Sequence, residues 1–323
     1  MSVRQKLFAS AASLVAVQAT AAMADCGDVT ITEMSWASSQ VVSTVATFLM
    51  ENGYGCTVTA VPSDPNPALT SVAETGQPDI LTEIWTNGAV ALAGMIEEGK
   101  VEKVADVLSD GGQEGWYVPS YLVEEHPELA TLDGVIANPE LVGGLFNNCP
   151  DGWTCKNTNT NILRAAGLTD DQLENFIHGS GDTVAASIAS AYEAREPWIG
   201  YYWAPTALLG RYDMVRVDLG DHVPENYSCL SEEDCADPKL SDYPAAGVVT
   251  VVTPSFRDEN PEVVELMSNI SFTNKQMGEI LAWQDDNSAT TEEAAVYFLT
   301  TYPEVWSEWI SEEAREKLSA VLQ

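Results

Sequence analysis

The feature that most constrains the fold is an alternation of short apolar strands with amphipathic helices over the first hundred residues. "VTITEM" is followed by "SSQVVSTVATFLMENG", in which Val41, Val42, Val45, Phe48 and Leu49 recur at helical spacing and Gly53 ends the helix. The strand "TVTAVP", a helix from about Pro67 to Thr75, the strand "DILTEIW" and a helix from Ala89 to Glu98 continue the pattern. Strands that alternate with helices predict an α/β fold, a mostly parallel sheet with helices on its faces.

At 323 residues the chain exceeds the usual size of a single core. The middle, roughly residues 118–243, carries elements of its own: the helix "TVAASIASAYEAR" and the strands "WIGYYW" and "MVRVDL". After Pro244 the apolar strand "AGVVTVVT" is followed by helices to the end. The expected organisation is a lobe of residues 25–117 plus 244–323, with a second α/β lobe of residues 118–243 inserted in it. The chain would cross near Tyr117–Pro119 and return near Ser241–Ala246. Two lobes joined by two crossings leave a cleft, a usual place for a small-molecule site.

Residues 1–24 read as a secretory signal: Arg4 and Lys6, an apolar run, then Ala22-Met23-Ala24 as a small-x-small cleavage pattern. Asp25 stands just before Cys26, where a lipid anchor would want a small residue. No stretch reaches the roughly 20 apolar residues of a membrane span. The expectation is a soluble, exported, periplasmic protein. Six cysteines agree with an oxidising compartment. Spacing favours short loops closed by Cys149–Cys155 and Cys229–Cys235. Cys26 and Cys56 stand at the starts of two strands, side by side if those strands are parallel neighbours. Zinc is disfavoured, since His126, His178 and His222 lie at no ligand spacing from two cysteines.

The formal charge is −35, and loss of Arg4 and Lys6 with the signal takes it to −37. A chain so acidic has no basic patch for phosphates, which excludes nucleic acid as a partner. The charge reads first as a solvated surface suited to a salty medium, and second as a field that gathers cations. Enzyme signatures are absent: no G-x-S-x-G elbow, no Walker loop, no G-x-G-x-x-G after the first strand, no H-E-x-x-H. The chain is read as a binding protein, not an enzyme.

Tryptophan carries the functional signal. Trp283, Trp306 and Trp309 fall in helical stretches and Trp198 begins a strand, so all four read as core. Trp36, Trp85, Trp116, Trp153 and Trp203 lie at strand ends or in loops. A residue at the carboxyl end of a strand in an open α/β sheet faces the ligand crevice, and both Trp85 and Trp203 end predicted strands. Trp153 sits inside "CPDGWTC", a large apolar ring on a short loop.

"DILTEIWTNG", "CPDGWTC" and "IGYYWAPTALLGRYDMVRVDL", in that order, resemble the periplasmic glycine betaine/choline-binding proteins of ABC importers. The resemblance covers nearly all of the mature chain, and a Trp within a Cys-x5-Cys loop marks the branch of osmoprotective betaine binders. It implies a two-lobed periplasmic binding protein fold of type II-like form, with a ligand cleft between the lobes and a membrane permease as partner. It also implies a box of aromatic rings around a quaternary ammonium, with Trp85, Trp153 and Trp203 as its three indoles. Trp116 is a candidate fourth wall by its place at the lobe crossing, which the family motif does not establish. The betaine binders carry a histidine four residues after the first box tryptophan; here that position is Ala89. Their backbone N–H contacts to the ligand carboxylate map to Thr154 and Cys155.

The chemistry suits such a ligand. A trimethylammonium group is positive, bulky and without N–H donors, so burying it leaves no donor unpaired. Each indole face attracts a cation by about 0.5–1 kcal/mol in water and ~2 kcal/mol or more when dry. Three or four such faces approach the roughly 8 kcal/mol of a micromolar binder. The disulfide from Cys149 to Cys155 would hold the loop indole in place before ligand arrives. Glu83 and Glu114 each precede a tryptophan by two residues, on the same strand face if extended. They read first as solvent-facing carboxylates of an acidic chain, and second as a pair of which one accepts from a hydroxyl or a protonated N-oxide, as in choline or trimethylamine N-oxide. No cofactor is expected. The acidic loop Glu232, Glu233, Asp234, Asp237 reads as solvated before it reads as a divalent-cation site, since its spacing is not that of a calcium loop. The expected function is capture of a small trimethylammonium osmolyte by a monomer that closes over it. The alternatives are an exported enzyme or a sensor-docking receptor acting on the same ligand class.

Overall fold

The computed structural model describes residues 26–321; the expected signal, residues 1–24, lies outside them. Ten strands form two five-stranded sheets. The first contains β1 (Asp28–Met34), β2 (Thr57–Ser63), β3 (Ile80–Trp85), β4 (Glu102–Asp106) and β10 (Val248–Val252), in the order β2-β1-β3-β10-β4. The second contains β5 (Gln113–Pro119), β6 (Leu145–Asn148), β7 (Glu174–Ile177), β8 (Ile199–Ala204) and β9 (Met214–Arg216), in the order β7-β6-β8-β5-β9. The chain is a mixed α/β protein with the two-lobed architecture that its sequence implied.

The sheets are less parallel than expected. β1 runs parallel to β2 and β3, and β6 parallel to β7 and β8. β10 is antiparallel to β3 and β4, and β5 to β8 and β9. The reversed strands are those that enter a sheet after the chain has come over from the other one. Such a strand arrives without the βαβ crossover that enforces parallel pairing.

Core formation follows the apolar pattern. Helix α1 (Ala37–Leu49) turns Val41, Val42, Val45 and Leu49 onto the first sheet, all fully buried. β10, "VVTVV", is buried at every residue, as a central strand covered on both faces must be. Trp306, Trp309 and Trp198 lie in the core, whereas Trp283 is half-buried and stacked on Tyr297 at 4.4 Å. Disulfides join Cys26–Cys56, Cys149–Cys155 and Cys229–Cys235. The first of these links the starts of parallel neighbours, where Asp28 and Thr57 are in register.

The passage expected at Tyr117–Pro119 falls inside β5, which belongs to the second sheet from Gln113 onward. The chain passes between the sheets just ahead of it, where Gly112 forms an antiparallel bridge with Ala246 of the returning segment. Their N–H groups exchange bonds of 2.8 and 3.1 Å to each other's carbonyl oxygens. Among the described residues no helix is long and apolar enough to cross a membrane.

Candidate ligand site: an aromatic box between the two sheets

Elements of both sheets converge on a cavity of about 40 Å³. The first sheet's side supplies Trp36 (after β1), Pro65, Trp85 (the last residue of β3) and Gly88; the second supplies Glu114 (β5), the loop and helix residues Trp153, Thr154 and Cys155, and Tyr201 and Trp203 of β8. Trp153 stands edge-on to Trp36 at 5.4 Å and to Trp203 at 5.2 Å between ring centroids. Every indole of the four is at most 8% exposed. Trp85, Trp153 and Trp203, expected from sequence, therefore meet at one point, joined by Trp36.

Three of the four rings are held at their polar edges. The Trp36 N–H donates to Glu83 Oε1 at 2.6 Å, the Trp85 N–H approaches the same oxygen at 3.4 Å, and the Trp153 N–H donates to Asp64 Oδ1 at 2.9 Å. Asp64 precedes helix α2 (Pro65–Thr75) on the first-sheet side, so the Trp153 bond spans the cleft. Two further bonds do the same: Asn66 Nδ2 to Thr154 Oγ1 at 2.8 Å, and Thr154 Oγ1 to the Gly88 carbonyl. Trp153 itself precedes the helix Thr154–Ala165, whose first N–H groups have no carbonyl within the helix. Thr154 and Cys155, which carry two of those groups, line the cavity.

Glu114 is the carboxyl in the wall. Its Oε1 accepts from the Tyr201 hydroxyl at 2.5 Å and its Oε2 from Asn87 Nδ2 at 2.8 Å. Burial pushes its pKa up, and the bonds from Tyr201 and Asn87 and the charge of Arg216 pull it part of the way back. Burial also holds the Tyr201 phenol well above its ordinary value, with Glu114 adding to the effect, so Tyr201 keeps its proton and donates.

Two expected site residues sit elsewhere. Trp116 shares a strand face with Glu114 but lies two residues deeper, fully buried, with its ring 4.4 Å from Phe146 and its N–H on Asn159 Oδ1 at 2.7 Å. It is a core residue, and the fourth wall is Trp36. Glu83 does not line the cavity either: its backbone is not extended but left-handed, with φ +53°, which turns the carboxyl behind Trp36 and Trp85. Tyr201, Asp64 and Asn66 were not read from the sequence, and Trp36 was placed at a strand end without being assigned to the site. Trp36 carried a usable signal, because it follows the carboxyl end of β1 as Trp85 ends β3. Among the described residues no three His, Cys, Asp or Glu side chains cluster as a metal ion would require, the acidic 232–237 loop included.

Two α/β lobes facing each other over a small, aromatic-walled cavity define a solute-binding protein of the two-lobed type. The chain belongs to the family described as the substrate binding domain of ABC-type glycine betaine transport systems, whose model matches residues 27–301. In fold it is similar to an ABC-transporter choline-binding protein in complex with choline, at 20% identity over 92% of this chain and 99% of that one, TM-score 0.72. It is similar too to a glycine betaine/L-proline-binding protein (ProX) from Borrelia burgdorferi, at 16% identity over 90% and 99%, TM-score 0.72. A third likeness is to lactococcal OpuAC in its closed, glycine betaine-bound conformation, at 19% identity over 88% and 100%, TM-score 0.66. The chain is thus the substrate-binding component of an ABC importer.

Proposed function

We propose that the protein captures a compact trimethylammonium compound bearing a short oxygen end, of the size of trimethylamine N-oxide or choline. The observation that carries this is the box itself: four indoles and one carboxyl around about 40 Å³. A single water needs roughly 10–15 Å³ on that measure, so the cavity favours a ligand of a handful of heavy atoms. Trp36, Trp85, Trp153 and Trp203 offer their π density to the cation. Glu114 meets the oxygen, accepting from a hydroxyl or sharing a proton with an N-oxide. The Thr154 and Cys155 N–H groups are the complementary donors at the helix N-terminus.

Glycine betaine is the second reading, favoured by those same N–H groups. Against it, its carboxylate would lie beside Glu114, and Ala89 supplies no side-chain donor. We further take Gly112 and Ala246 as the hinge about which the lobes close, and the protein as an exported monomer that delivers its ligand to a membrane permease in the periplasm. Catalytic turnover and docking to a sensor are the rival roles.

Calorimetric titration with trimethylamine N-oxide, choline, glycine betaine, carnitine and tetramethylammonium tests the ligand class. Micromolar binding of one or both short, oxygen-bearing compounds, trimethylamine N-oxide and choline, is expected. Binding of amino acids or sugars alone would overturn the reading. Glu114→Gln is expected to weaken the oxygen-bearing ligands about tenfold more than tetramethylammonium, the worth of one charge-assisted hydrogen bond. Equal loss for both would remove Glu114 from the role.

A further inference from the structure

Behind the box, outside its lining, lies a buried carboxyl. Glu83 is fully buried in the middle of β3, a strand with every residue buried. Its Oε1 receives three groups: the Trp36 N–H at 2.6 Å, the Ser38 hydroxyl at 2.6 Å, and the Trp85 N–H at 3.4 Å. Its Oε2 is buried without a hydrogen-bond partner. The backbone bends to place it there. β3 has one more residue than β10 between the register pairs Ile84–Val249 and Leu81–Val251, and Glu83 takes a left-handed φ of +53° in that bulge. A glutamate in that conformation is strained, and such strain gathers where a side chain must be aimed. An apolar residue would be the ordinary occupant of so buried a strand position.

We propose that Glu83 is a positioning residue that anchors the Trp36 and Trp85 indoles by their N–H groups and sets how strongly their faces attract a cation. The inference rests on the trimethylammonium reading above. A carboxylate that accepts an indole N–H pushes electron density onto the ring, and it adds its own negative charge one ring's width from the ligand. A neutral carboxyl does neither. The buried site makes the two forms accessible near neutrality: desolvation raises the pKa to about 7, opposed by the bonds from Ser38, Trp36 and Trp85. Those three groups, from the β1–α1 junction and from β3 itself, do not titrate between pH 5 and 9. The other carboxyls around the box are Glu114 in its wall, Asp64 on Trp153, and Asp182 and Asp285, which line the adjoining cavity with Trp36 and Trp203.

Tetramethylammonium is the probe, since its charge is independent of pH and it has no oxygen. In a Glu114→Gln background its affinity is expected to rise about tenfold from pH 5.5 to 8.5, with a midpoint near 7, and the rise is expected to vanish on adding Glu83→Gln. Trp36→Phe removes one N–H that favours the charged form, so it is expected to move the midpoint upward; it provides the test should the Glu83→Gln chain not fold. A flat profile with Glu83 present, or a rise that persists without it, overturns the inference and leaves the ligand class standing. Failure of the wild type to bind any trimethylammonium compound overturns both. A glutamate that merely packs would change thermal stability and leave the profile unmoved.

Discussion

Gly112 is the residue at which the box is least forgiving. A Cβ there would overlap the Trp85 ring, and the backbone cannot move aside because its N–H and C=O are both bonded to Ala246. Gly112→Ala is therefore expected to displace the Trp85 indole and weaken ligand binding by at least tenfold, about the loss of one dry cation–π contact. Fluorescence titration checks it, and unchanged affinity would mean that Trp85 is not a wall. Glu83 makes a second prediction. Its carboxyl ionises at the ordinary value of 4.5 in the unfolded chain but at about 7 in the folded one. Its contribution to stability is thus complete below about pH 4.5, declines as pH rises to about 7, and is constant above. Relative to Glu83→Gln, the ligand-free wild type should lose on the order of 3 kcal/mol across that window. Urea denaturation of both proteins at pH 5 and pH 8 measures it, and an equal difference at the two pH values would contradict it. At this scale the sequence was legible where a residue's place on a strand fixes its direction. Trp85 and Trp203 at strand ends faced the cleft as read, whereas Trp116 and Glu83 did not. Trp116 lies too far along β5, and the bulge that turns Glu83 leaves no mark in a run of six ordinary residues.

The loop from Cys149 to Cys155 shows what an element adds to its residues. It ends in Trp153, hands over directly to the helix Thr154–Ala165, and so presents an indole and a helix N-terminus to one point. Replacing both cysteines by serine is expected to lower stability by about 2 kcal/mol, the loop-closure entropy of so short a ring. Binding should also weaken, because the indole must then be ordered each time a ligand arrives. Stopped-flow release experiments should show faster dissociation; an unchanged rate would make the disulfide a matter of stability alone. The alternation of strands and helices made the first sheet readable as far as β3. β4, β6 and β7 are short; β4 and β7 carry polar residues on exposed positions and β6 carries two buried asparagines, so no apolar run announced them. The antiparallel entries of β5 and β10 depend on how the chain returns from the other sheet, which periodicity within a strand does not encode.

Across the whole molecule, the bonds that join the lobes over the cleft include Trp153 to Asp64, Asn66 to Thr154, Thr154 to Gly88 and Asn87 to Glu114, with Arg211 paired to Asp285 and Asp286. Their groups belong to different lobes, so they exist only while the cleft is shut and their free energy biases closure. Asn66→Ala is expected to speed ligand release several-fold, about 1 kcal/mol, without changing the order in which ligands are preferred. A changed order would place Asn66 among the specificity contacts instead. The cage as a whole rests on attraction of a donor-free positive group by indole faces, and a matched pair of ligands isolates that term. Choline and 3,3-dimethylbutan-1-ol share three methyl groups, a two-carbon arm and a hydroxyl, and differ chiefly in the positive nitrogen. Calorimetry on the wild-type protein should find micromolar affinity for the first and affinity at least a hundredfold lower for the second, the worth of about two dry cation–π contacts. Comparable affinity for both would show that shape and hydrophobic burial alone fill the box, and would contradict the account.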